Sequence, residues 1–144
     1  MEAIPGQTKK SPTPRLAVGA RILLGLVFLV FGLNGFFHFI PQPKSMPEGA
    51  TAFFEAMVKT RYMLPLISGT QTLVGALLLL NRFVPLALTL IAPVIVNIVA
   101  FHVYVSRPGL PLACVVAALE LYLAWSYRQA FSPMLAIKVR PGAS

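Results

Sequence analysis

Few side chains in this chain could do chemistry, so where they fall is informative. Glu120 is the one carboxyl inside a long apolar run, Asn34, Gln71 and Asn97 are amides inside others, and His38 and His102 stand close to the ends of two runs. An ionised carboxylate costs several kcal/mol in hydrocarbon, so Glu120 is expected to face a protein interior, to accept hydrogen bonds or to keep its proton. Two readings of the set stand side by side. Amides and a carboxyl can hold membrane helices together by interhelical hydrogen bonds, or they can form a site, because intramembrane ionisable groups mark functional positions by default.

The histidines allow three chemistries: binding a metal or sandwiching a haem, relaying protons, or hydrogen bonding at an interface. A metal centre wants more ligands than two, and no cysteine or carboxylate cluster near them in the sequence supplies the rest. The single cysteine, Cys114, lies in an apolar run and reads as a small hydrophobe; with one cysteine no intramolecular disulfide and no Cys-x-x-Cys dithiol chemistry can form. There is no phosphate-binding glycine loop, no His-Glu-x-x-His and no nucleophile elbow.

The elements that must position these residues follow from composition. The chain has 144 residues, 57% of them hydrophobic and 11% charged, with a mean hydropathy of +0.78. Soluble domains carry about a quarter charged residues, so the fold class expected is all-α and integral to a membrane, in one unit. Four apolar runs, at about 16–40, 63–80, 83–105 and 110–130, each approach the roughly 20 residues that cross about 30 Å of hydrocarbon. The first is too long for a signal-peptide core and has no small-residue cleavage site after it. Proline, glycine and charge break the runs at Pro41-Gln42-Pro43-Lys44, Asn81-Arg82 and Ser106-Arg107-Pro108-Gly109. The break at Asn81-Arg82 is so short that the helices on either side must be antiparallel neighbours. Residues 1–15 read as a flexible basic tail, 16–131 as a four-helix bundle, and 132–144 as a second tail.

The net charge of +8 could suggest nucleic acid, but the basic residues cluster at the ends of apolar runs, as expected of charges at lipid headgroups, and nucleic acid is set aside. Lys9, Lys10, Arg15, Arg21, Arg82, Arg128, Lys138 and Arg140 fall on one side, against Lys44, Lys59, Arg61 and Arg107 on the other. The richer side is cytoplasmic by the positive-inside rule, which puts both termini there. Trp125 and Tyr127 would then sit at the inner interface, and Tyr62 and Tyr104 at the outer one.

Between the first two spans, Ser45-Met46-Pro47-Glu48 has capping-box spacing with a proline in the first turn, so a helix should start there. Ala50, Phe53, Phe54, Met57 and Val58 recur at helical spacing, and Glu55 and Lys59 lie four apart on another face. This is an amphipathic helix for the outer membrane surface, either a plain connector or a lid. The chain also matches itself weakly: Asn34 with His38 and Asn97 with His102 in spans one and three, and Leu-Pro-Leu at Leu64 and at Leu110 opening spans two and four. Two repeated helical hairpins would fit a parallel repeat.

At a rise of 1.5 Å per residue, Asn34 lies about 9 Å below the outer end of its span, Gln71 and Asn97 about 12 Å, and Glu120 about 15 Å. One polar side chain per span reaches a similar level, and the histidines sit above them, within about 5 Å of the outer edge. The inner halves are apolar, which argues against a transporter's continuous polar path. Pro93 is expected to kink span three.

Arg21-Ile22-Leu23-Leu24-Gly25-Leu26-Val27-Phe28-Leu29, leading to Gly-Leu-Asn-Gly, and Leu79-Leu80-Asn81-Arg82-Phe83-Val84-Pro85-Leu86-Ala87-Leu88 resemble the DoxX family of bacterial membrane proteins over about Arg21 to Phe131. Ala92-Pro93-Val94-Ile95-Val96-Asn97 with Phe101-His102, and Leu119-Glu120-Leu121-Tyr122-Leu123-Ala124-Trp125, look like one DoxX-like subgroup. The resemblance implies a four-helix protein of the bacterial inner membrane with a loose connection to redox complexes, because the family is similar to the quinone-linked membrane subunit of archaeal thiosulfate oxidation. Span two of the family often carries a glutamate in a Glu-x-x-x-Gly-like stretch; Gln71, before Gly75, stands at that position here, which leaves Glu120 as the lone carboxyl. The expectation is a subunit that binds a small apolar ligand such as a quinone among Asn34, Gln71, Asn97 and Glu120, has no redox centre of its own, and works with a redox partner, with a homo-oligomer as a further expected association. The rival is a non-enzymatic accessory or assembly protein whose polar residues are structural.

Overall fold

The computed structural model describes residues 15–142, and every regular element among them is helical. In chain order they are α1 (Arg15–Phe37), α2 (Glu48–Thr60), α3 (Met63–Leu79), α4 (Val84–Tyr104), α5 (Leu110–Ser126) and the single turn α6 (Arg128–Phe131), with 3-10 turns at Arg107–Gly109 and Ser132–Leu135. Of the tail expected over residues 1–15, all but Arg15 lies outside the described residues, and Arg15 already opens α1.

Arg15–Phe37, Val84–Tyr104 and Arg107–Ser126 are each long and apolar enough to cross a membrane. A fourth such stretch is made by α2 and α3 together, which bend by 93° at their junction. The chain thus carries three to four candidate membrane-spanning helices. Alone, α3 has 17 residues, about 25 Å at the helical rise.

Three differences from the sequence reading concern where helices begin and end. The first run stops at Phe37 rather than at about residue 40, because His38 turns to a left-handed φ of 53° and its amide closes on the Asn34 carbonyl at 2.8 Å. The expected capping box does not form: α2 begins with Pro47 as its N-cap, at φ −53° and ψ 145° without a side-chain cap, so Ser45 stands outside the helix. Proline's fixed φ and extended ψ set the boundary themselves, two residues later than a Ser45 cap would. The fourth run also ends early, with α5 closing at Ser126 and a short turn following it.

Packing runs around four neighbours: α1 lies against α3 and α5, and α4 against the same two. Leu24 and Phe28 of α1, Val74 and Leu78 of α3, Leu88 and Ile91 of α4, and Leu123 of α5 meet in the core with almost no exposed surface. Along α1 and α3 the backbones themselves approach. A Cβ built on Gly75 would stand 2.7 Å from the Cα of Leu29 and 2.8 Å from the Gly25 carbonyl, and one on Gly32 2.9 Å from the Ser68 carbonyl. Small residues permit this contact, where dispersion and weak polar contacts replace the hydrophobic drive that lipid removes.

The connector between α1 and α3 folds as an amphipathic helix, with a narrower inward face than expected. Ala50 is buried and Phe53 and Met57 are partly buried, whereas Phe54 and Val58 remain exposed. Phe53 and Phe54 rest against Phe101 of α4, with ring centroids 5.1 and 5.7 Å apart, so α2 is held across the end of α4 rather than hanging free. Helix α4 continues unbroken through Pro93.

Candidate functional site

Glu120 comes from the buried stripe of α5, Ala113, Val116, Glu120 and Leu123, in which every step is three or four residues. The same stripe that carries α5 into the core therefore carries the carboxyl there. The residue is 7% exposed, and its Oε2 has no hydrogen-bond partner among the described residues. A buried polar atom without a partner costs about 1–3 kcal/mol, more for a charged group, so the carboxyl is the point of highest polar tension in the interior.

Gln71 is half-buried and shares its stripe on α3 with Val74 and Leu78, both fully buried. It therefore lies on the core-facing side of α3, one turn outward of the apolar centre. The other members of the expected layer are differently disposed. Asn34 is half-buried, but its Oδ1 accepts the Ile40 amide at 2.7 Å, which folds the chain back after α1. Asn97 lies on the exposed side of α4, beside Val96 at 69% exposure, because the buried stripe of that helix runs through Leu88, Ile91 and Ile95 and passes it by. The four polar residues share a level by count along their helices, yet hydrogen bonds do not join them into one layer among the described residues.

The histidines separate in role. The Nδ1 of His102 lies 2.8 Å from the Ser106 carbonyl and so carries a proton that it donates. Its ring covers Gly109, where any Cβ would strike it, and packs edge-on to Phe101 at 5.2 Å. His102 thus builds the turn between α4 and α5. His38 is exposed, in the left-handed position that ends α1. No group of three or more His, Cys, Asp or Glu that could hold a metal occurs among the described residues. Cys114 is exposed on α5.

Counting charges for topology misses one polar residue. Arg21 is 8% exposed, and its guanidinium donates to the Leu78 carbonyl in the last turn of α3. A cation there joins the Asn81 amide, which reaches the same carbonyl at 3.3 Å from beyond the helix, and complements the negative end of the helix dipole. The signal was its spacing, three residues before Leu24 and four before Gly25 on the buried stripe of α1. At the end of α5, Arg128 instead lies over the exposed Trp125 ring at 4.6 Å and donates to the Trp125 carbonyl at 3.0 Å.

What the arrangement can do is narrow. One carboxyl in an apolar interior, with an amide on the core side of α3, the element diagonal to α5 across the bundle, can offer a proton or a hydrogen bond to a mostly apolar molecule that carries an oxygen. Comparison with family models, with curated proteins and with solved structures finds no match to this chain.

Proposed function

We propose that the chain is a DoxX-like protein of the bacterial inner membrane, a bundle of four spans with both termini cytoplasmic, that binds a small apolar molecule of the quinone class beside Glu120 and supports electron transfer by a partner protein. In this reading α3 completes the fourth span, and α2 lies along the outer surface. The observation that carries the ligand is the buried Glu120 Oε2 without a partner. A quinone carbonyl accepts a hydrogen bond from a protonated carboxyl, and its reduction takes up protons that a carboxyl can pass on. Gln71 is the second contact, an amide that can donate to the same head group; Asn34 and Asn97 leave the proposed site, one engaged with Ile40 and the other facing outward.

The second reading, a non-enzymatic accessory protein, is favoured by Asn34 and His102, whose polar atoms are already bound to backbone groups that shape turns. One experiment separates the two. Purified protein is examined by native mass spectrometry for a retained quinone, and its thermal unfolding is followed with and without decylubiquinone. The ligand reading expects a retained or added quinone to raise Tm, and Glu120→Gln to abolish most of the rise. Absence of retained quinone together with no shift in Tm sinks it and leaves the accessory reading.

A further inference from the structure

The outward face of α4 holds polar groups that lipid cannot satisfy. It carries Leu86, Thr89, Leu90, Pro93, Val96 and Asn97, all exposed. Asn97 lies about 10 Å inside the end of α4 at Tyr104, at a depth where hydrocarbon surrounds an outward side chain. The side-chain hydrogen bonds among the described residues include none from Asn97, in contrast to Thr89, whose hydroxyl turns back to the Pro85 carbonyl at 2.9 Å. An amide has two donor hydrogens and an acceptor oxygen, and leaving them bare in an apolar medium costs several kcal/mol. Pro93 adds to this, because it has no N–H and leaves the Thr89 carbonyl without its usual donor on the same side of the helix.

We infer that this face of α4 is the contact between two copies of this chain, with Asn97 of each copy hydrogen-bonded to Asn97 of the other about a two-fold axis along the membrane normal. The amide selects the occupant. It is its own complement: about a two-fold axis the oxygen of each copy meets the N–H of the other, so one residue satisfies donor and acceptor together. Two copies inserted with the same orientation bring the two α4 helices parallel and place Asn97 opposite itself at equal depth. Around it the face is Val96, Pro93 and Leu90, without any charge to be desolvated. The inference rests on α4 crossing a bilayer and is independent of what Glu120 binds.

The test uses full-length protein in liposomes at graded protein-to-lipid ratios, with subunits counted by single-molecule photobleaching. Wild type is expected to be dimeric. Asn97→Leu removes the amide from an already exposed position, which leaves the core untouched, and should raise the dissociation constant about tenfold, within the range of interhelical amide bonds. Asn97→Gln keeps an amide and should retain most of the association. In a Cys114→Ser background, Val96→Cys should form an intermolecular disulfide on mild oxidation, while Leu121→Cys, exposed on α5, should not. A wild type monomeric at every ratio, an Asn97→Leu variant that dimerises as tightly as wild type, or equal crosslinking at residues 96 and 121 overturns the inference.

Discussion

Asn34 and His102 show what becomes of a polar side chain when the backbone nearby has unmet hydrogen bonds. The last carbonyls and the first amides beyond a helix need partners, and in a chain this apolar the nearest one is taken. Asn34→Leu leaves the Ile40 amide without its acceptor, so unfolding in detergent should show a loss of about 1–2 kcal/mol; an unchanged Tm would mean that water takes over the bond. The types of the six candidate side chains are plain in the sequence, but apart from that of Glu120 their directions are not. Asn97 is the instructive case. Helix α4 carries apolar residues on every side, with Thr89, Asn97 and His102 too few to mark a face, so periodicity cannot choose one, and only contact with α3 and α5 picks out Leu88, Ile91 and Ile95 as the buried stripe. Glu120 was found correctly inside because its cost in lipid allows little else.

The helices were legible as elements because each apolar run is closed by proline, glycine or charge. Their ends were less so. The Ser45 cap was read from a pattern of residue types, whereas the start of α2 was fixed by the backbone of Pro47. The close pairing of α1 and α3 is not legible in the sequence, because a glycine in an apolar run carries no mark of what approaches it. The approach makes a sharp prediction. Gly75→Leu must push its side chain into the backbone of α1 and should destabilise the protein by at least about 2 kcal/mol, as overpacking does. Gly19→Leu, with nothing within 4 Å of its Cβ, should cost nothing and even favour the helix. Equal thermal shifts for the two variants would show that the two helices slide apart freely.

At the scale of the molecule, the question is how often the chain crosses the bilayer. Four crossings place residue 82 on the side of the termini, and residues 44 and 107 on the opposite side. In a Cys114→Ser background, Arg82→Cys in intact inverted and right-side-out vesicles should be labelled by an impermeant maleimide only from the cytoplasmic face. Lys44→Cys and Arg107→Cys should be labelled only from the outer face. If α3 turned back without crossing, Arg82→Cys would react from outside.

The short α3, with α2 bent away from it by 93°, has a consequence for the surrounding lipid. With α3 as the fourth span, a bilayer about 30 Å thick would meet a helix of about 25 Å there, while α1, with 23 residues, reaches about 34 Å. In that four-span reading the membrane would slope around the protein, thinned along one flank and stretched along another, at fractions of a kcal/mol per Å of mismatch. Such a molecule would carry its own deformation field. Acyl-chain length alone should then alter how it distributes among lipid environments and how readily two copies draw together to share one thinned rim.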